Sequence, residues 1–169
     1  MNALLLAAGH GKRLMNYTRK TPKCLLPVYG KPLLNRWIEL LNNLGIKKIL
    51  INTHFKSQQV RNFLKKHKAK DKIKIVHEKK LLGSAKTIFK NITFFENDAL
   101  IIHADNYIED DLKDFLKFHE QTKKKRLYAT IFAFKSKNFR KEGILEIDKK
   151  RIFKNLYEKK KINHGTLAN

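Results

Sequence analysis

The chain has one cysteine, Cys24, so no internal disulfide can form and packing alone must hold the fold. A lone thiol also fits a reducing compartment. No apolar stretch approaches the ~20 residues that a membrane span requires. The apolar start Ala3–Ala8 lacks the basic flank of a secretory leader and is too short for one. A cytoplasmic location is the expectation. Acidic residues are scarce: 15 Asp and Glu stand against 38 Lys and Arg, a formal charge of +23. Such a field draws polyanions. Yet the lysines are spread through nearly every segment, as in Lys65-Lys66, Lys79-Lys80, Lys123–Lys125 and Lys159–Lys161. No aromatics alternate with these runs as stacking platforms, and no RNA-recognition or helix-turn-helix signature accompanies them. A solvated lysine-rich surface with no specific nucleic-acid partner is expected. Internal repeats, low-complexity segments and linkers are also lacking.

What is present suffices for one core. A chain of 169 residues with 42% hydrophobic residues, 11 of them Phe, is expected to fold as a single domain over 1–169. Apolar β-type runs occur at Ala3–Ala7, Lys48–Asn52, Lys72–His77, Ala99–His103, Leu127–Phe134, Gly143–Ile147 and Arg151–Tyr157. Segments with a 3.6-residue apolar period lie between the first four. One carries Leu33, Leu34, Trp37, Ile38, Leu40, Leu41 and Leu44, with Gly45 as its stop. Another starts at Ser57, read as its N-cap. A third follows Gly83, and a fourth spans Asp110–Thr122. Short buried strands alternating with helices predict an α/β fold: a Rossmann-like three-layer αβα sandwich on a mostly parallel, mixed sheet. Its ligand belongs at the carboxyl ends of the strands.

Two loops fall there. The first run, Leu4-Leu5-Leu6-Ala7-Ala8, opens into Gly9, Gly11, Lys12 and Arg13, and a further cation, Lys23, follows in Thr21-Pro22-Lys23. Glycines let backbone N–H groups approach an anion, and Lys and Arg neutralise it. The GxxxxGK[ST] spacing of a Walker A loop is absent, and GHGKRL does not complete GxGxxG. The second loop carries Asp105 directly after an apolar strand. It is placed either to hold Mg²⁺ against phosphate oxygens or to cap the next turn. His103 reads as a packed strand residue. Gly83-Ser84 offers a second backbone approach to a ligand, with Glu78 five residues upstream. Glu158 and Lys159, read alone, are surface charges. No nucleophile elbow or Cys/His pair suggests covalent catalysis.

Taken in order, these pieces resemble the sugar-1-phosphate nucleotidylyltransferase family, whose opening motif is approximately LAxGxGTRLxPxTxxxPKPLxPVxGKPLL; residues 6–34 match it closely. Leu82–Ala85 stands for the family's LGTA, Asp105 for its metal aspartate, Glu158-Lys159 for its EKP, and Asn169 for an Asn that normally precedes Gly. The resemblance implies nucleotide contacts from Leu6, Ala7, Ala8, Gly9, Gly11, Glu78, Gly83 and Ser84, with Lys12 adding charge nearby. It implies catalytic roles for Arg13, at the triphosphate and departing pyrophosphate, and for Lys23, at the sugar phosphate and α-phosphate. Gly143, Glu158 and Asn169 would hold the sugar, Lys159 its phosphate, and Asp105 a Mg²⁺ cofactor. The implied partners are an NTP and a sugar-1-phosphate, and a homo-oligomer is compatible with the sequence.

HADNY, LLGSA and the closing TLAN most resemble the subgroup acting on mannose- or heptose-1-phosphate with GTP, for surface polysaccharide. One carboxylate at Glu78 could accept both guanine N1–H and N2–H. The alternatives are glucose-1-phosphate with dTTP, phosphocholine with CTP, or a non-catalytic nucleotide-binding member. Lys12 replaces a usual Thr, Cys24 a Pro and Lys86 a Gly. The family's second metal-binding Asp falls beyond residue 169, so the expectation is a catalytic domain incomplete at its C-terminus.

Overall fold

The computed structural model describes residues 1–124, 129–135 and 143–158. They divide into two compact units, Met1–Lys113 and Asp114–Asn169. The first unit is built on the apolar runs. β1 (Asn2–Leu6), β4 (Ile49–Thr53), β5 (Ile73–His77) and β6 (Ala99–His103) form one sheet in the order β5-β4-β1-β6. Every pairing in it is parallel, with Leu4 opposite both Leu50 and Ile101. Parallel strands buried on both faces read as continuous apolar runs, and Leu4, Leu5, Ile49, Leu50 and Ile51 are fully buried. Each such side chain contributes about 1.5–3 kcal/mol by leaving water.

The helices are α1 (Met15–Thr18), α2 (Leu33–Asn43), α3 (Ser57–Lys65) and α4 (Ser84–Lys90). α2 buries Leu33, Leu34, Trp37, Ile38 and Leu41 of the predicted apolar face, while Leu40 and Leu44 stay half-buried at its edge. It stops where expected: Gly45, at φ +72°, lets its N–H reach the Asn42 carbonyl while Ile46 N–H reaches that of Leu41. These two bonds satisfy carbonyls the helix would leave orphaned. The start of α3 differs from expectation. Lys56, in the left-handed region, precedes the helix, Ser57 is its first residue, and no side chain caps it. From β1 the chain winds through β4 to β5, then returns past both to β6. Right-handed crossovers therefore put α2 and α3 on one face and α4 on the other. The three-layer Rossmann-like α/β architecture follows.

A small hairpin, β2 (Pro27–Val28) and β3 (Lys31–Pro32), was not legible as strands. Tyr29 and Gly30 both take positive φ, 49° and 75°, in its two-residue turn, as a primed turn requires.

α5 (Leu112–Lys124) begins in the first unit and continues into the second. Asp111 Oδ1 accepts the Lys113 N–H at 2.9 Å, and the helix begins at Leu112, two residues after the predicted Asp110. In the second unit β7 (Gly143–Ile147) and β8 (Phe153–Glu158) pair antiparallel, with a bulge at Glu146/Ile147. Asp148 Oδ1 accepts the N–H groups of Lys150 and Ile152, both at 2.9 Å, and shapes the turn between them. The expected strand over Leu127–Phe134 is not found in its described part. Residues 129–135 pair with no described strand, and a strand needs a partner for its backbone groups. Instead Thr130 Oγ1 meets His119 Nδ1 at 2.9 Å, and Phe132 packs edge-on against Phe115. Among the described residues, no helix is long and apolar enough to cross a membrane.

Candidate functional site

The carboxyl ends of β1, β4, β5 and β6 surround a pocket of about 210 Å³ within the first unit. Its walls bring together Leu6 at the end of β1 and Ala7, Ala8, Gly9 and Gly11 from the loop that follows, with Lys23, Glu78, Gly83, Ser84 and Asp105. These ten expected site residues are thus assembled by one feature, the crevice where the chain reverses its winding beside β1.

The glycine loop is shaped by specific contacts. Gly11 has φ +65°, and a Cβ there would stand 2.7 Å from Thr18 Cγ2. The buried Thr18 hydroxyl lies 3.0 Å from the carbonyl oxygens of both Gly11 and Leu14, tying the loop to α1. Gly9 is different: a Cβ there would meet nothing within 4 Å. Lys12 and Arg13 form a 3-10 turn with Leu14, exposed and outside the pocket lining.

Lys23 enters from a short 3-10 turn, Lys23–Leu25, launched by Pro22. Its Nζ donates to Asp105 Oδ2 at 2.6 Å, across 82 residues of chain. The carboxylate of Asp105 is thus engaged by a cation rather than by the backbone of the turn that follows. Both side chains remain partly open, 27% and 38% exposed. A phosphate could therefore reach Lys23, and a cation could reach Asp105. Among the described residues, no three His, Cys, Asp or Glu cluster as a metal cage. Mg²⁺ is commonly held by one or two carboxylates together with substrate phosphates, and the carboxylate of Asp105 fits that mode. Next to Lys23, burial pushes the Cys24 thiol up to about 12, with a backbone hydrogen bond opposing it and Asp105 adding to it. The thiol stays protonated, so Cys24 lines the pocket as a small apolar group and not as a nucleophile.

Glu78 is the most constrained group. It is 5% exposed. Its Oε1 accepts from Asn52 Nδ2 at 2.8 Å and from Thr87 Oγ1 at 2.5 Å, and its Oε2 accepts the Leu82 N–H at 3.1 Å. Burial would raise its pKa, but the bonds from Asn52, Thr87 and Leu82, with His54 nearby, outweigh it and hold the carboxyl below the ordinary range. Asn52 Oδ1 in turn accepts the Ala7 N–H at 2.8 Å. His54 Nδ1 lies 2.7 Å from the Glu78 carbonyl oxygen, so that nitrogen carries the proton. One buried network thus joins three walls of the pocket.

Asn52, Leu81 and His103 also line the pocket and were not among the expected site residues. His103 is exposed rather than packed. Along β6 the alternation of side chains buries Leu100, Ile102 and then Ala104 and leaves His103 on the opposite, open face. Gly83, at φ +79°, precedes α4, and Ser84 is its first residue. The expected sugar residues Gly143 and Glu158 are cross-strand partners on the β7–β8 hairpin of the second unit. Lys159 and Asn169 lie outside the described residues.

Comparison with known proteins bears on this assembly. The family model described as Nucleotidyl transferase matches residues 2–169. A heptose 1-phosphate guanylyltransferase of Campylobacter jejuni, specific by name for the D-glycero-alpha-D-manno form, is 28% identical; the match covers 86% of this chain and 72% of that protein. The bifunctional protein GlmU of Methanocaldococcus jannaschii is 28% identical over all of this chain, which spans only 38% of its length. Among solved structures, a Bacillus anthracis protein provisionally assigned as a glucose-1-phosphate thymidylyltransferase superposes with a TM-score of 0.82 at 25% identity. That match covers 95% of this chain and 65% of the other.

Proposed function

Because the chain belongs to the nucleotidyl transferase family, we propose that it transfers a nucleoside monophosphate from an NTP to a sugar-1-phosphate and releases pyrophosphate. The observation that carries this reading is the Lys23–Asp105 pair at 2.6 Å, set beside the Gly9–Gly11 loop in one pocket. An ammonium that could meet a phosphate and a carboxylate that could hold a metal lie side by side, which supports this reading.

In this reaction an oxygen of the sugar phosphate attacks the α-phosphorus in line. The new P–O bond forms as the bond to the β-phosphate oxygen breaks, and pyrophosphate carries away the electron pair. The nucleophile is already anionic near neutral pH, so no general base is required. Positioning and neutralisation of charge carry the rate. Lys23 would bridge the sugar phosphate and the α-phosphate. Arg13, on the exposed turn after the glycine loop, would swing to the triphosphate. Asp105 would hold Mg²⁺ with the substrate phosphates, and the bound ion would supply further neutralisation of the phosphate oxygens. Gly143, Glu158, Lys159 and Asn169 are assigned to the sugar phosphate by resemblance.

The favoured donor is GTP and the favoured acceptor a mannose- or heptose-1-phosphate, with surface polysaccharide as the destination; the named Campylobacter relative supports this. A second reading, dTTP with glucose-1-phosphate, is favoured by the Bacillus likeness. The Glu78 carboxylate, three of whose acceptor positions are already filled, can take one donor from either base and so does not decide against this second reading. The test is a matrix of NTPs against sugar-1-phosphates with Mg²⁺ and the purified chain, read by pyrophosphate release. Release confined to GTP with mannose- or heptose-1-phosphate is the expected result. Release only with dTTP selects the second reading. Nucleotide binding without release from any pair would overturn the transferase reading in favour of a binding module.

A further inference from the structure

The network around Glu78 has more members than base recognition by one carboxylate needs. An ionised carboxylate offers about four acceptor positions. Asn52 Nδ2 and Thr87 Oγ1 fill both on Oε1, and the Leu82 N–H fills one on Oε2. One position therefore remains for a ligand. Asn52 and Thr87 are themselves buried, 3% and 1% exposed. Both amide ends of Asn52 are used, one on the loop that follows β1 and one on Glu78. Thr87 reaches Glu78 from the first turn of α4, whose start at Gly83-Ser84 is also pocket wall. The Asn52 Nδ2 and the Thr87 hydroxyl both donate to one oxygen of one carboxylate.

We propose that Asn52 and Thr87 are positioning residues for base recognition, holding Glu78 so that it presents the pocket with a single free acceptor on Oε2. This inference rests on the nucleotide reading given above. It has a chemical consequence. With the network intact, guanine can place only one of its two adjacent donors on Glu78, and the N3–H of uracil or thymine is served equally well. Base choice must then come from contacts other than a two-pronged bond to this carboxylate.

The test compares two probes on the full chain. One is whichever of GTP, dTTP, UTP, CTP and ATP the wild type binds most tightly; the other is inorganic tripolyphosphate, which has no base. In Thr87→Val the NTP affinity should fall by about tenfold or more, as for loss of a charged hydrogen bond, with tripolyphosphate affinity unchanged; in Asn52→Ala, which also removes the acceptor for the Ala7 N–H, the NTP loss should exceed the tripolyphosphate loss. Thr87→Ser, which keeps the hydroxyl, should bind NTP as the wild type does. Equal losses for NTP and tripolyphosphate would mean a collapsed pocket and overturn the inference. So would wild-type NTP affinity in Thr87→Val, or a Thr87→Ser variant as weak as Thr87→Val. A wild-type chain that binds tripolyphosphate but no NTP would overturn the nucleotide reading itself, and this inference with it.

Discussion

Replacing Lys23 with Met should separate stability from function by orders of magnitude. The substitution keeps most of the stem and removes the ammonium, which lies 2.6 Å from Asp105 Oδ2. Both partners are more than a quarter exposed, so solvent screening leaves the pair worth about 0.2–1 kcal/mol to the fold. For a domain of this size that is a fall of roughly 1–4 °C in Tm. The same ammonium facing a transferring phosphate acts on charge that develops only during reaction. Loss of one such preorganised group removes about 2.7–4 kcal/mol of stabilisation, a 10²- to 10³-fold loss in rate. Pyrophosphate release should therefore fall by two to three orders of magnitude while thermal unfolding barely moves. The assay is kcat/KM for pyrophosphate release with Mg²⁺, beside a melting curve of the same sample. A Lys23→Met chain with kcat/KM within threefold of wild type would refute the reasoning, because the pair would then be a surface ion pair and nothing more. A Tm drop beyond about 10 °C would refute the other half, the claim that the pair is screened.

Three other outcomes follow from the same geometry. Gly11→Ala puts a Cβ 2.7 Å from Thr18 Cγ2 at a φ of +65°, so it should cost about 1–3 kcal/mol of stability; Gly9→Ala, whose Cβ meets open space, should melt like wild type yet weaken tripolyphosphate binding, and calorimetry on both variants checks the contrast. The Cys24 thiol, pushed to about 12, should resist a thiol reagent at pH 8 in the native chain and react with one equivalent once denatured; rapid native labelling would show that burial does not protect it. For Glu78 the folded pKa lies below its ordinary value of 4.5, so its ionised form stabilises the fold above that value, and the benefit is lost as pH falls through the folded pKa. Glu78→Gln should therefore flatten the loss of stability below about pH 4.5, and denaturant midpoints that fall with acid as steeply as in wild type would count against the network.

The fold was legible because its strongest signals are local. Ile49–Thr53 is apolar enough to be buried on both faces, and Gly45 ends α2 through two backbone bonds that no other residue type makes as easily. What failed was equally local. The run Leu127–Phe134 has strand composition, but composition cannot supply a partner, and its described part pairs with none. Ser57 looked like a cap, yet the chain enters α3 through a left-handed Lys56 instead. The β2–β3 hairpin was hidden because Tyr29 gives no warning of a positive φ.

The site divides along the same line. Gly9, Gly11, Lys23 and Asp105 are legible because each has a chemistry its neighbours advertise. Asn52 and Thr87 do not, since their meaning lies in the sheet register. Leu6 pairs with Asn52, so the next residue, Ala7, brings its N–H to the Asn52 amide. Asn52 pairs with Val76, two residues before Glu78, so the other end of that amide meets the carboxylate as β5 ends. A shift of one residue in either pairing would turn Asn52 to the opposite face and dissolve the network. Thr87 and the Leu82 N–H hold Glu78 from α4 and the loop before it, but three strands must be in register before Asn52 can link that carboxylate to the loop after β1. The link between the glycine loop and the buried carboxylate is therefore a property of the β1–β4–β5 register, which no local stretch of sequence carries.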